Sequence, residues 1–125
     1  MDTRTKILTL EAARALGDSR PVVVAGYFEI LLAEHARLLD EVRRRHPAGP
    51  LVAFVMPLSG AILPAGARAE MAAGLRVIDY VVTGDDNDLA TLVDGLQPAA
   101  VVRLEADEER LHRELAQHVR SRHGR

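Results

Sequence analysis

The sequence predicts an α/β fold, a three-layer α/β/α sandwich with a parallel sheet of about four strands, and three observations predict it. Four short runs rich in Val, Ile and Leu, at residues 21–25, 51–56, 77–82 and 99–104, recur along the chain. Each is followed by a helix-patterned segment, the crossover that a parallel neighbour requires. Aromatic residues make up only 3% of the 125 residues and Trp is absent, while 48% of residues are apolar. The core is therefore made of Val, Leu, Ile and Ala, the composition of buried parallel strands under Ala- and Leu-rich helices.

The elements follow in order. Residues 9–16 form a short leader helix, with Thr9 placed to cap it and Leu10, Ala13 and Leu16 on one face. Gly17-Asp18-Ser19-Arg20-Pro21 breaks that helix, and the β-branched run 21–25 reads as a buried strand entering a tight turn at Gly26. A helix over about 31–45 turns Leu31, Leu38, Leu39 and Val42 inward and closes on Arg43, Arg44 and Arg45, which complement the negative end of its dipole. After the breaker at 46–50 come the strand 51–56, a Pro- and Gly-rich loop over 57–66, and a helix near 67–74. The strand 77–82 leads through the turn 83–87 into a helix over 88–95 with an acidic first turn. The strand 99–104 precedes a last helix, about 107–122, whose stripe Leu104, Leu111, Leu115 and Val119 is expected to cover the sheet. The whole is a single Rossmann-like domain over 1–125, with a leader at 1–20, a βα core at 21–104 and a C-terminal helix at 105–125.

Composition excludes several chemistries. Without Cys there is no disulfide, thiolate nucleophile or Cys-ligated zinc. No apolar run approaches the roughly 20 residues of a membrane span and the first six residues do not lead into a signal-peptide core, so a soluble, cytoplasmic protein is expected. A net charge of -2 supplies no general field for nucleic acid, although Arg43, Arg44, Arg45 and the segment 120–125 are locally basic. Those arginines read as solvated helix ends or, alternatively, as a nucleic-acid-binding module. His112 and His118 lie six apart and share no helix face, and Glu114 with His118 makes a surface pair more readily than half a zinc site, so no metal site is assigned.

In an open parallel sheet, ligands bind at the carboxyl ends of the strands, and the loop after the first strand is the usual phosphate site. Here that loop reads Gly26-Tyr27-Phe28-Glu29-Ile30-Leu31-Leu32-Ala33-Glu34-His35. It resembles the strand-turn-helix signature GxFDxxHxGH of the HxGH-type, cytidylyltransferase-like nucleotidyltransferases, the group that includes ADP-heptose synthase and glycerol-3-phosphate cytidylyltransferase domains. Residues 68–82, an Arg-containing helix running into Val77-Ile78-Asp79-Tyr80-Val81-Val82, resemble that family's passage into its third strand, and Leu96-Gln97-Pro98 falls where the family has L-x-P-D.

The resemblance implies transfer of CMP or AMP from CTP or ATP, with Mg2+, to a phosphorylated or alcohol acceptor. It implies nucleotide contacts at Gly26, Tyr27, Phe28, Glu29, His35, Arg68 and Arg103, with His35 as the catalytic candidate. The departures from the motif are as telling. Glu29 stands for Asp, Leu32 for the first histidine and Glu34 for the glycine, so His35 alone keeps an imidazole that stabilises charge at phosphorus. A like charge such as Glu34 at 4 Å costs about 1 kcal/mol in water and about 4 kcal/mol at an effective dielectric near 20. The loop after the second strand is apolar where a basic clamp is expected, with no charged residue between Arg45 and Arg68. Arg103 stands where the family has a lysine, and the family's later strand and Ser/Thr-rich turn have no counterpart after the last helix.

These departures lead to the expectation of a degenerate nucleotidyltransferase-like domain without turnover, a pseudoenzyme acting by nucleotide or protein binding. An active enzyme that borrows groups from a partner chain is the alternative. Each residue also has a plainer reading: His35 as a surface or capping histidine, Glu29 and Glu34 as solvated first-turn carboxylates. The apolar loop over 57–64 either folds under a helix or forms a contact surface for a protein partner or homodimer.

Overall fold

The computed structural model describes residues 2–29 and 33–123, with side chains as far as Gln117. The side-chain expectations for Leu31, Leu32, His118, Val119 and the arginines from 120 onward lie outside the described residues.

Four strands, β1 (Val22–Gly26), β2 (Leu51–Val55), β3 (Tyr80–Thr83) and β4 (Ala100–Arg103), form one parallel sheet in the order β3-β2-β1-β4. β1 lies between β2 and β4, with Val24 opposite Ala53 on one side and Val102 on the other. Both faces of this central strand are covered, and its five residues are all buried, as a continuous β-branched run requires. Val22 and Val24 face a cluster with Leu39 and Val42 of α2 (Ala33–Arg45) and Ala69 and Ala72 of α3 (Ala65–Ala73). Val23 and Ala25 face the opposite cluster with Ala13 of α1 (Leu10–Ala13) and Leu89, Leu92 and Leu96 of α4 (Asp86–Leu96). The alternation of side chains along one strand thus feeds two helical layers, giving the expected three-layer Rossmann-like sandwich.

Four details differ from the sequence reading. The leader is α-helical for only four residues, capped by Thr9 Oγ1 accepting from Ala12 N at 3.1 Å, and continues as a 3₁₀ segment over Arg14–Ser19. It stops where Arg20 adopts a left-handed backbone at φ 55°, which no further helical turn can follow. Ahead of it, Ile7 bridges to Val81, a contact with no local signal.

β3 begins at Tyr80 rather than at 77, because Ile78 N closes a turn on Leu75 O. Asp79 is then used as a staple, its carboxylate accepting from Leu51 N and from Arg43, each at 2.8 Å. In α2, Leu38 is only half-buried, and the inward positions are His35, Leu39 and Val42.

Among the described side chains of the last helix, α5 (Glu105–His123), the expected stripe is not buried throughout. Leu104 and Leu111 are buried, but Leu115 is 36% exposed, so the contact ends after about two turns. No helix among the described residues is long and apolar enough to cross a membrane.

Candidate functional site

The site forms at the carboxyl end of β1. Three segments converge there: the loop leaving β1 at Tyr27, the loop over 57–64 after β2, and the first turns of α5. They enclose a cleft of about 380 Å³ lined by Tyr27, His35, Leu58, Ile62, Glu108 and Leu111, among others. That volume is in the usual range for small-ligand sites.

Glu108 sits at the centre. Its Oε1 accepts from Tyr27 N at 2.8 Å and its Oε2 from Phe28 N at 2.9 Å. The same Oε2 lies 3.7 Å from His35 Nε2, and the Glu108 side chain is only 9% exposed. The approach depends on Gly26: a Cβ there would meet Glu108 Oε1 at 2.5 Å and the Phe28 ring at 3.2 Å. The missing side chain lets an oxyanion come down onto the strand end, and that oxyanion is the protein's own carboxylate. Burial outweighs the two amide hydrogen bonds and pushes the Glu108 carboxyl up to about 7.

The loop geometry explains the amide pair. Phe28 takes a left-handed backbone at φ 53°, which turns consecutive N–H groups toward one point in the manner of an anion nest. Phe28 tolerates that conformation because its ring is wholly buried in the core, 5.4 Å from the His35 ring. His35 is 1% exposed, so it is neither a surface nor a capping histidine: it packs between Phe28 and the Glu108 carboxylate.

The other candidates are placed differently from what the resemblance implied. Arg68 is 3% exposed and donates to three backbone carbonyls: Leu63 O at 3.2 Å, Tyr27 O at 3.0 Å and Met56 O at 2.7 Å. It ties the two loops together through Nε and Nη1, and its charge is felt at the Glu108 carboxyl, which it lowers. Arg103 pairs with Glu105 at 2.5 Å and with Asp86 at 3.4 Å, and those carboxylates hold its guanidinium firmly charged.

Glu29 accepts from Ile62 N and from Leu63 N, so its carboxylate fixes the 57–64 loop instead of standing in solvent. Glu34 pairs with Arg37 at 2.6 Å and faces outward, which removes the repulsion anticipated for it. Tyr27 O–H donates to Glu109 at 3.3 Å, and burial with the nearby carboxylates of Glu109, Glu105 and Glu108 raises its phenol above the usual range. Among these groups, the structure brings Gly26, Tyr27, Phe28 and His35 to one point, leaves Glu29 on the wall of the same cleft with its carboxylate on the 57–64 loop, binds Arg68 to backbone carbonyls of the two loops, and pairs Arg103 with Glu105 and Asp86.

The remaining basic and metal candidates resolve similarly. Arg43 is engaged by Gly49 O and Asp79, while Arg44 and Arg45 are both exposed, Arg45 pairing with Glu41. Glu114 pairs with Arg110 at 3.3 Å. The described residues contain no group of three or more His, Cys, Asp or Glu able to hold a metal.

Glu108 is the residue that sequence reasoning missed, although a signal was present. Leu104 and Leu111 are seven apart, and Glu108 falls between them at spacings of four and three, within the apolar stripe. A lone carboxylate on a core-facing stripe is unusual enough to mark a site.

Comparison with known proteins agrees with this frame. Over 106 residues the chain is 30% identical to an FAD synthase of Methanoregula boonei, an alignment covering 79% of this chain and 72% of that protein. The chain belongs to the cytidylyltransferase-like nucleotidyltransferase family. No family model matches it. The fold is also that of the lipopolysaccharide core biosynthesis protein from Thermoplasma volcanium GSS1, with a TM-score of 0.56 and 24% identity over 65% of this chain and 70% of that one. Within the family's frame, the Glu108 carboxylate of α5 lies against the loop after the first strand, where such folds receive phosphate.

Proposed function

We propose that this family member binds a nucleoside phosphate in the cleft beside β1 without transferring it. The observation that carries the reading is the seating of an oxyanion on Tyr27 N and Phe28 N above Gly26. The anion-binding backbone of the loop is intact. What a transfer reaction needs beyond it is scarce, because stabilising a developing phosphorane requires preorganised cations or donors aimed at it. Arg68 is spent on three carbonyls, Arg103 on two carboxylates, and His35 lies beneath Glu108.

The test is calorimetry of the purified protein with CTP and with ATP, each with Mg2+ at physiological salt, beside an assay for pyrophosphate release with candidate acceptors. FAD belongs among the ligands tried, given the relative's name. We expect binding of one nucleotide tighter than about 100 μM, near -5.5 kcal/mol, and no pyrophosphate release. Absence of heat at millimolar nucleotide would sink the binding reading. Mg2+-dependent release lost in His35→Ala would replace it with an active nucleotidyltransferase.

A second reading, protein binding or homodimerisation through the 57–64 loop, is favoured by one observation. Ile62 at its tip is 80% exposed, and Leu58 is half-buried beside it on the rim of the same cleft. An exposed branched apolar side chain on a loop whose backbone is pinned by Glu29 is preorganised for a contact. Ile62→Asp, read by the mass of the protein in solution and by nucleotide calorimetry, separates this role from the nucleotide site.

A further inference from the structure

The anion site after β1 is already filled, and its occupant comes from the far end of the chain. Glu108 lies 81 residues from Tyr27, yet its two carboxylate oxygens take the two amides separately, the bidentate geometry with which a phosphate's oxygens would be held. Glu108 is carried on the first turn of α5, whose attachment to the body is short. Leu104 N donates to Ala25 O, Leu104 and Leu111 are buried, and from His112 to Gln117 every side chain is exposed. Among its described side chains, α5 is held by Leu111, by the Glu108 carboxylate and by Glu109 accepting from Tyr27 O–H, with Leu104 buried just ahead of it, and an element so held is a low-stability unit able to leave without the sheet unfolding.

We propose that α5 is an intramolecular latch: the Glu108 carboxylate acts as a tethered stand-in for the phosphoanion, and a phosphoanion enters only by displacing it. The proposal rests on the nucleotide-binding reading and adds its regulation.

Three features of the site follow from it. Ligand affinity is set by competition, because the binding-competent state is the fraction of molecules with α5 withdrawn. Charge works in the same direction: with Glu108 in place, a phosphoanion meets a carboxylate at contact distance in a half-buried site, and Glu105 and Glu109 stand close by. His35, 3.7 Å from the carboxylate, is covered while the latch is shut and faces the vacated anion position once it opens.

Inorganic pyrophosphate is the probe, titrated by calorimetry into the full chain as wild type, Glu108→Gln and Asp107→Asn. The Gln variant keeps size and removes the charge from the site. The Asn variant removes the same charge from a neighbour paired with Arg110, outside the amide pair. Because the chain has no Cys, spin labels at Asp40→Cys on α2 and Gln117→Cys on α5 report the helix position cleanly.

The latch requires Glu108→Gln to bind pyrophosphate at least about tenfold tighter than wild type, with Asp107→Asn within about threefold, as expected for removing one contacting charge. It also requires saturating pyrophosphate to lengthen the label distance in an otherwise wild-type chain, a measurement that stands alone should Glu108→Gln fold poorly. Equal affinities for wild type and Glu108→Gln, or an unmoved label distance at saturation, overturn the latch. If CTP still binds in that event, the nucleotide reading survives. If neither CTP nor pyrophosphate binds any of the variants, both fall together.

Discussion

Glu108 and Arg68 are the two buried charges whose behaviour separates structural from functional roles. The Glu108 carboxyl rises from 4.5 to about 7 in the fold, chiefly by burial, with Glu105 adding to the rise and the amides of Phe28 and Tyr27 and the charge of Arg68 opposing it. An acid whose folded value is raised binds its proton more tightly folded than unfolded. Folding is therefore favoured below about 4.5, and that advantage is lost as pH rises through 7. At about 1.4 kcal/mol per unit the ceiling is about 3 kcal/mol. Urea unfolding of wild type and Glu108→Gln at pH 5 and pH 8 should show the wild type losing stability relative to the variant at the higher pH; parallel profiles would remove Glu108 from the account. For Arg68, a structural tie predicts that Arg68→Met leaves carbonyls of Leu63, Tyr27 and Met56 without their donor. At about 1–3 kcal/mol for each buried polar group left unsatisfied, the loss should be at least about 3 kcal/mol by chemical denaturation. A phosphate clamp would instead spare stability and cost only affinity.

Among the elements, α5 and α4 contrast in how they are held. α4 begins with a reciprocal capping box, Asp85 accepting from Asp88 N at 2.9 Å and Asp88 from Asp85 N at 3.0 Å. Asp85→Ala should cost about 1 kcal/mol and Asp85→Asn much less, measured by thermal unfolding. Among its described side chains α5 is buried in its first turns, so Leu111→Ala should cost about 2–3 kcal/mol. Leu115→Ala, at a position 36% exposed, should stay within about 0.5 kcal/mol. Comparable losses at both positions would mean that α5 packs along its whole length.

Across the whole molecule, the sheet order β3-β2-β1-β4 puts the most protected backbone in β1 and β2, each flanked by two strands and buried on both faces. Native-state hydrogen exchange should find their amides exchanging only through global unfolding, while the amides of α5 past Leu111 and of the 3₁₀ turn at Thr3–Lys6 open first. Fast exchange at Tyr27 and Phe28, coupled to that of α5 and slowed by pyrophosphate, would link the site to the helix in the manner the latch demands.

The parts legible in the sequence are those carried by local patterning. Val22, Val23 and Val24 announce a strand buried on both sides, Thr9 announces a helix start, and Gly26 announces a tight turn, because each signal is set within a few residues of where it acts. The family resemblance was legible for the same reason, its motif being one uninterrupted strand, turn and helix. What local pattern could not decide is which charges remain available. Arg68, Glu29 and Arg103 look alike in sequence whether they face a ligand or a backbone carbonyl, and the partners of Arg68 and Glu29 belong to other loops. Asp107, Glu108 and Glu109 are equally acidic neighbours at the start of one helix. The rotation at which α5 docks, set by Leu104 and Leu111, selects Glu108 to sit on amides 80 and 81 residues away. The sheet, the layers and the turn at Gly26 could be read from the chain, because periodicity and turn chemistry act locally. That the loop is filled by the protein's own carboxylate emerges from the folded arrangement alone, because the contact depends on how distant elements pack and not on any residue's neighbours in the chain.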